Sequence, residues 1–298
     1  MSFDLAIDIG NSQITLGLGD DAGWRARWRL ASDPRRTADE YAALVRDLVA
    51  RDGCEPASVR ATVVSSVVPA LTPVIGAVCR RLFDRTPLVV GPGVHTGMAV
   101  RYNPPAALGA DRLVNAVAAR ARFGAPVVVV DFGTATTFNV VDAGGVFVGG
   151  AIAPGVGLAA AALAEAGARL HRIDLAPASL DPPPLVGRTT EQSMRSGVLY
   201  GYAGLVEGLL ARIDAELGVM AERGAGTNRG GTIYSATAPV PVIATGGMAG
   251  LVAPLVPRIT AVEPDLILDG LRIILALNPA IGGGEQAKPA SAQAQMYS

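Results

Sequence analysis

The sequence predicts a mixed α/β protein made of two related half-domains that face each other across a phosphate site. Three observations carry this reading. An apolar run, then Asp-x-Gly, then small hydroxyl or amide residues occurs twice: in Phe3-Asp4-Leu5-Ala6-Ile7-Asp8-Ile9-Gly10-Asn11-Ser12 and in Val127-Val128-Val129-Val130-Asp131-Phe132-Gly133-Thr134-Ala135-Thr136-Thr137. Each copy leads into an alternating segment, a Gly-containing turn and a second alternating segment. Helical and strand patterns alternate after each opening, which favours mixed over all-parallel winding.

In chain order, Phe3–Asp8 and Ser12–Leu18 read as strands, Asp20-Asp21-Ala22-Gly23 as a turn, and Trp24–Leu30 as a third, alternating strand. Thr37–Arg51 places Tyr41, Leu44, Val45, Leu48 and Val49 at helical spacing. Arg60–Ser65 is a strand, and Pro69, suited to a first turn, opens a helix running to about Phe83. Pro87–Val90 is a short strand, Gly91–Pro105 a Gly- and Pro-containing loop, and Leu113–Phe123 a helix preceded by Gly109-Ala110-Asp111-Arg112. The second half repeats the plan: strands over Val127–Asp131, Thr136–Val141 and Val146–Ile152, with Ala143-Gly144-Gly145 turning between the last two. Helices are expected over Gly157–Leu170 and Thr190–Leu217, a strand over Pro241–Thr245 and a last helix over Leu271–Leu277. Glu222–Pro239 has no sustained periodicity and reads as an exposed, mobile loop; Pro279–Ser298 reads as a disordered tail.

Composition narrows the function classes. The 298 residues are 50% hydrophobic and 17% charged, enough to bury a substantial core. A formal charge of −1 argues against nucleic acid as the main partner. No apolar run approaches the ~20 residues of a membrane span. The first apolar run ends at Asp8 with no basic region before it, so no signal peptide and a cytoplasmic location are expected. Cys54 and Cys79 are too far apart for a metal-binding pair, and His95 and His171 are the sole histidines, which disfavours a His-based zinc site.

The repeated loops suit phosphate chemistry. A glycine after a strand lets the backbone turn sharply and bring its N–H groups to an anion. The hydroxyls of Ser12, Thr134, Thr136 and Thr137 would add hydrogen bonds, and carboxylates at strand ends, Asp8 and Asp131, would hold a cation directly or through water. Either loop alone reads equally as an Asp-Gly turn; the pair, with matching hairpins, points to phosphate. Gly187-Arg188-Thr189-Thr190 imitates the tail of a P-loop but lacks its upstream glycine, and no G-x-G-x-x-G follows a strand. Ala244-Thr245-Gly246-Gly247 ends a strand in bare backbone that would lie flat against a nucleobase or ribose, or simply turn tightly. Asp111-Arg112 offers a base for an alcohol and a two-pronged anion binder, or else an ordinary helix-start Asp beside a surface Arg.

Together these stretches resemble the type III pantothenate kinases of the acetate kinase/sugar kinase/Hsp70/actin superfamily. The likeness runs over roughly residues 3–278 through Asp8-Ile9-Gly10-Asn11-Ser12, Tyr102-Asn103-Pro104, Gly109-Ala110-Asp111-Arg112-Leu113-Val114-Asn115-Ala116 and the second Asp-x-Gly loop. It continues through Gly149-Gly150-Ala151-Ile152-Ala153-Pro154-Gly155, Gly187-Arg188-Thr189-Thr190 and Ala244-Thr245-Gly246-Gly247. The resemblance implies an α/β fold of two duplicated actin-like (ribonuclease H-like) half-domains with mixed five-stranded sheets flanked by helices, over 1–110 and 111–278. It implies ATP-dependent phosphorylation of pantothenate to 4'-phosphopantothenate, the first step of coenzyme A biosynthesis. By that likeness Asp111 is the general base, and Tyr102, Gly109, Ala110, Asp111, Arg112 and Thr190 contact pantothenate. Asp8, Ile9, Gly10, Asn11, Ser12, Gln13, Ile14, Thr15, Thr134, Gly246 and Gly247 surround ATP, with Asp8 serving Mg²⁺, directly or through water. Asp131 is the ligand of a monovalent cation, K⁺ or NH₄⁺, and a homodimer with pantothenate near its interface is expected.

Three departures stand out. Ser12 replaces the family's usual Thr and keeps the hydroxyl; Asn139 stands where the second loop is often followed by Asp; and Glu222–Pro239 is a longer link than usual. A missing carboxylate at 139 would either weaken Mg²⁺ binding or remove only a structural hydrogen bond. The alternatives are another small-molecule kinase of the superfamily and a non-catalytic ATP-binding regulator on the same scaffold. Asp8, Asp111, Arg112 and Asp131 argue against the regulator, while Asn139 leaves it open.

Overall fold

In the computed structural model, which describes residues 2–166, 173–175, 183–224 and 240–279, the chain forms two five-stranded mixed sheets. The first holds β1 (Phe3–Ile9), β2 (Gln13–Asp20), β3 (Gly23–Ala31), β4 (Val59–Ser66) and β5 (Leu88–Val89) in the order β3-β2-β1-β4-β5. The second holds β6 (Val127–Phe132), β7 (Ala135–Val141), β8 (Phe147–Pro154), β9 (Val242–Thr245) and β10 (Ala261–Val262) in the order β8-β7-β6-β9-β10. The orders are the same, with the Asp-x-Gly strand central in both. Each central strand pairs antiparallel with the next strand of its hairpin and parallel with the strand that returns after a helical crossover.

Seven helices complete the described chain: α1 (Ala38–Arg51), α2 (Thr72–Phe83), α3 (Ala110–Phe123), α4 (Val156–Ala166), α5 (Thr190–Gly224), the single turn α6 (Ala249–Val252) and α7 (Leu266–Ala276). They form three layers. Phe3, Leu5, Ile7 and Ile9 of β1 pack with Tyr41, Val45 and Val49 of α1 and Ile75, Val78 and Phe83 of α2 on the outer side of the first sheet. Val128, Val130 and Phe132 of β6 pack with Val156 and Ala160 of α4 and Tyr202, Val206 and Leu210 of α5 outside the second. Between the sheets lie α3 and α7, whose Val114, Val117, Leu271 and Ile274 share one core with Ala6 and Val63 of the first sheet and Val127 and Val129 of the second. The alternation of side chains along a strand thus sends the even-numbered residues of β1 and the odd-numbered residues of β6 to the same central layer.

The expected elements recur with shifted ends. The helix expected from Pro69 begins at Thr72, because Val68 to Leu71 close a turn first (Leu71 N–H to Val68 O, 3.0 Å), and Pro73 takes the first-turn place. The helix expected from Leu113 begins at Ala110, capped by Gly109, so Asp111 and Arg112 lie in its first turn. The last helix starts at Leu266, earlier than Leu271, because Leu266 and Leu268 are needed in the central core. The two-residue strand β10 is too short to show a pattern in sequence. The expected helix end at Leu170, most of the Glu222–Pro239 loop and all but the first residue of the Pro279–Ser298 tail lie outside the described residues; Glu222 to Gly224 belong to α5.

The central layer depends on close helix approach. A Cβ on Gly270 of α7 would stand 2.2 Å from the Val114 carbonyl oxygen of α3, so only glycine fits at this crossing. Gly270→Ala is expected to lower stability by about 1–3 kcal/mol through overpacking, measured as a shift in urea midpoint. Gly197→Ala on α5, where a Cβ meets nothing within 4 Å, is expected to raise stability by about 0.5–1 kcal/mol from helix propensity alone.

Candidate active site

The side-chain alternation that builds the core also builds the site. Asp8 and Asp131 are the last inner-face residues of β1 and β6, and both point into the central cleft, where α3 begins. Their strand neighbours correspond. Asp8 lies opposite Thr15 of β2 and Ser65 of β4, and Asp131 opposite Thr137 of β7 and Thr245 of β9. Each carboxylate is therefore flanked by hydroxyl side chains in register. The two loops meet directly, Ser12 Oγ lying 2.7 Å from Thr134 Oγ1. Asn11, Ser12, Gly133 and Thr134 are exposed at the mouth of the cleft.

Asp111 enters from the first turn of α3, where its Oδ1 accepts the Arg112 backbone N–H at 2.8 Å. One helical turn on, Asn115, 1% exposed, donates from Nδ2 to Asp131 Oδ2 at 3.0 Å. Asp8 Oδ1 and Asn115 Oδ1 are buried acceptors without a partner in the described structure. Buried acceptors left open are costly, and a cation or its bound water is the chemistry that satisfies them. Among the described residues no group of three His, Cys, Asp or Glu side chains forms a metal cage. The residues present therefore fit a cation that takes most of its ligands from phosphate and water.

Three carboxylates converging in a low-dielectric cleft resist ionisation together. Burial, then the charges of Asp111 and Asp131, push the Asp8 carboxyl from 3.8 up to about 8, although Ser65 beside it works in the opposite direction. Burial and then Asp111 push Asp131 to about 7 against the hydrogen bond from Asn115. Burial also raises Asp111, with the Arg112 N–H and its positive charge opposing. A site of this kind favours a bound cation.

Arg112, 6% exposed, lies on the opposite flank. Its Nε donates to Asn139 Oδ1 at 2.6 Å and its Nη1 lies 3.4 Å from the Tyr102 hydroxyl. Its guanidinium sits 5.6 Å from the Tyr102 ring centroid and 5.7 Å from that of Phe147. Tyr102 comes from the loop before α3. Residues 99–101 of that loop pair with the first residue of edge strand β8 (Arg101 N–H to Phe147 O, 2.7 Å; Phe147 N–H to Ala99 O, 2.9 Å), which delivers the ring to the second sheet.

The structure thus brings together Asp8, Asp131, Asp111, Arg112, Tyr102, Ser12 and Thr134. Gly10 closes the first loop by donating to Gln13 O at 3.0 Å, and Gly109 and Ala110 form the start of α3. Ile9 and Ile14 point into the outer core, leaving only their backbone for a nucleotide; Gln13 is exposed and Thr15 faces inward. Gly246, at φ +92°, presses on Asp131, where a Cβ would stand 2.4 Å from Oδ1, whereas a Cβ on Gly247 meets nothing within 4 Å. Beyond this loop, Met248 and Gly157 line a concavity of about 350 Å³ with Ala160, Ala161, Ile173 and Leu175. A depression at Asp33, Arg35, Arg36, Glu40, Ala43 and Leu44 lies at the start of α1 and contains none of the site residues. Thr190 is exposed at the start of α5, and among the described residues no hydrogen bond ties it to the Tyr102–Arg112 group.

One sequence expectation is corrected. Thr136 does not face the cleft: it shares its side of β7 with Phe138 and Val140 and points to Tyr202 in the outer core, while Thr137 faces inward. The parity of the apolar residues in β7 carried that signal. Asn115, Ser65 and Phe147 were missed as site residues. Asn115 follows Asp111 at the four-residue spacing of one helix face, but nothing local marks Ser65 or Phe147.

Similarity to known proteins points to one family. The model of the type III pantothenate kinase family matches residues 4–212. A type III pantothenate kinase from Anaeromyxobacter sp. (strain K) is 46% identical over 270 residues, covering 91% of this chain and 97% of the relative. One from Moorella thermoacetica is 43% identical over 274 residues, covering 92% and 99%. A solved Baf family protein from Campylobacter jejuni superposes with a TM-score of 0.53 at 17% identity, over 92% of this chain and 98% of that one, a likeness of fold.

The raised carboxylates make a stability prediction. A carboxyl whose folded value lies above its ordinary value binds its proton more tightly when folded, so it favours the folded state at low pH. That advantage is lost as pH rises from about 4 through about 7 for Asp131 and about 8 for Asp8. Without added Mg²⁺ or K⁺, Tm is expected to fall as pH rises across this window. Asp8→Asn is expected to flatten the decline and to melt above the wild type at pH 8; coincident Tm–pH curves would contradict the assignment.

Proposed function

The chain belongs to the type III pantothenate kinase family, and on that premise we propose that it transfers the γ-phosphoryl group of ATP to the terminal hydroxyl of pantothenate, the first step of coenzyme A biosynthesis. The observation that carries the reading is the convergence of Asp8, Asp131 and the Asp111–Arg112 pair on one cleft. Asp111 is the general base. It takes the hydroxyl proton as the new O–P bond forms and the bond to the bridging oxygen of ADP breaks. Burial raises its proton affinity, which suits a base. Arg112, with Tyr102, Gly109 and Ala110, binds and orients the acceptor; Thr190 is a further acceptor contact carried over from the resemblance.

The ATP phosphates lie between the loops Asp8–Thr15 and Gly133-Thr134. The base end lies toward Gly246-Gly247, where the open side of Gly247 and the concavity beside Met248 leave room. Asp8 holds Mg²⁺, directly or through water, and Asp131 with Asn115 holds a monovalent cation, K⁺ or NH₄⁺; these ions neutralise phosphate charge when bound. Among the described residues no helix is long and apolar enough to cross a membrane, and a cytoplasmic homodimer is the proposed state. The homodimer is carried over from the family resemblance. The hydrogen bond from Arg112 to Asn139 supports a structural role for Asn139 beside the proposed acceptor site.

An ADP-release assay with pantothenate, Mg²⁺ and K⁺ tests the reaction; folded protein without turnover would defeat it. Asp111→Asn is expected to cut kcat by about 10²–10⁴-fold with ATP binding retained by calorimetry. Exchanging K⁺ for Na⁺ is expected to lower turnover in the wild type, and this cation preference is expected to disappear in Asp131→Asn. An equal response to both ions in the wild type would remove Asp131 from that role.

A further inference from the structure

Resting on the kinase reading above, we propose that Arg29, on edge strand β3, binds the polyphosphate end of ATP and is the fixed cation of the nucleotide side. Strand register carries the inference. Asp8 of β1 stands opposite Ser65 of β4 and Thr15 of β2, and Thr15 stands opposite Arg29 of β3. Residues directly opposite one another share a face of the sheet, so Ser65, Asp8, Thr15 and Arg29 form one row across the inner face of the first sheet. Neighbouring strands lie about 4.8 Å apart, which puts the Arg29 backbone about 10 Å from that of Asp8. A long side chain and one phosphate together fill such a gap. The end of β3 is also tied to the nucleotide loop, because the Ser32 N–H donates to Ser12 O at 3.1 Å.

The neighbouring row shows why Arg29 is left open. There Ala6, Gly17 and Arg27 lie side by side, and α7 covers them. A Cβ on Gly17 would stand 2.8 Å from Leu268 Cδ1, and Arg27 Nε pairs at 2.7 Å with Oδ2 of Asp265, which caps the start of α7. Because α7 begins at this level, the next row faces the cleft instead of a helix. Arg29 is exposed and has no hydrogen bond or ion pair among the described residues, whereas Arg25 reaches Asp52 O and Arg27 has Asp265. In the row of Arg29, Asp8 Oδ1 is a buried acceptor without a partner. A triphosphate among carboxylates needs positive charge close by. Of the side chains gathered in the cleft, Arg112 is the one cation, and it lies on the acceptor flank. Lys288, the sole lysine of the sequence, lies outside the described residues. Arg29 supplies the charge on the other flank, and its planar fork suits two phosphate oxygens. An edge-strand arginine also discourages pairing with another strand, but Arg25 and Arg27 fill that role equally, and it requires no register with Asp8.

Steady-state kinetics of Arg29→Gln test this, with Arg27→Gln as the same loss of charge one row away. In Arg29→Gln the KM for ATP is expected to rise about ten- to hundredfold, the loss of one charged hydrogen-bonding contact, with the KM for pantothenate within about twofold. In Arg27→Gln the KM for ATP is expected to stay within about twofold of the wild type. An unchanged KM for ATP in Arg29→Gln would overturn the proposal. So would an equal rise in the KM for both substrates, which marks a general disturbance of the site, or an equal rise in Arg27→Gln, which marks a diffuse field of the edge strand. Failure of the wild type to turn over pantothenate would count against the kinase reading, whereas an active wild type whose KM for ATP is unmoved by Arg29→Gln would count against this inference alone.

Discussion

The shared helical layer formed by α3 and α7 is the constraint on which the rest of this molecule depends. Two sheets of the same strand order pack against it from opposite sides, so the inner faces of β1 and β6 are turned toward one another. Strand alternation then leaves no freedom: Ala6 and Asp8 must share a face, as must Val129 and Asp131, and the apolar member of each pair anchors the charged one at the rim of the core. Because α3 starts at this rim, its first turn adds Asp111 and Arg112, and the next turn adds Asn115, to a cleft already lined by two carboxylates. The close approach of Gly270 to Val114 holds α3 against α7 and so sets how near these groups come.

The energetics of the cleft run against stability. Three carboxylates are desolvated together, Asp8 and Asn115 keep acceptors without partners, and Arg112 keeps a donor without one. Each such group costs free energy in the isolated protein. Each also matches a component of the proposed phosphoryl transfer: cations for the carboxylates, an anionic acceptor for the arginine, and an alcohol proton for Asp111. Strain of this kind is relieved by the ligands themselves, which is how a preorganised site couples binding to catalysis.

Much of this was legible in the sequence because it rests on local patterns. The duplicated Asp-x-Gly loops, the hairpins after them and the Gly-Ala-Asp-Arg segment marked both carboxylate strands and the start of α3, which the structure brings to one cleft. The parts that were not legible depend on contacts between distant segments. Phe147 joins the site only because residues 99–101 pair with the edge of β8, and Ser65 only because β4 returns parallel to β1. At Asn139 the sequence left open a weakened Mg²⁺ site or a structural hydrogen bond; its partner, Arg112, lies on another element and is visible only in three dimensions. The outward turn of Thr136 could have been read from its parity with Phe138 and Val140, but the hydroxyl-rich run concealed it.

The cleft between the two inner faces is the proposed place of phosphoryl transfer. A crystal structure with pantothenate, Mg²⁺ and a non-hydrolysable ATP analogue would decide it most directly. The expected result has the terminal hydroxyl of pantothenate within hydrogen-bonding reach of the Asp111 carboxylate, with the γ-phosphate between the Gly10–Ser12 and Gly133-Thr134 loops. Pantothenate bound with that hydroxyl away from Asp111, or the nucleotide seated outside the cleft, would contradict it.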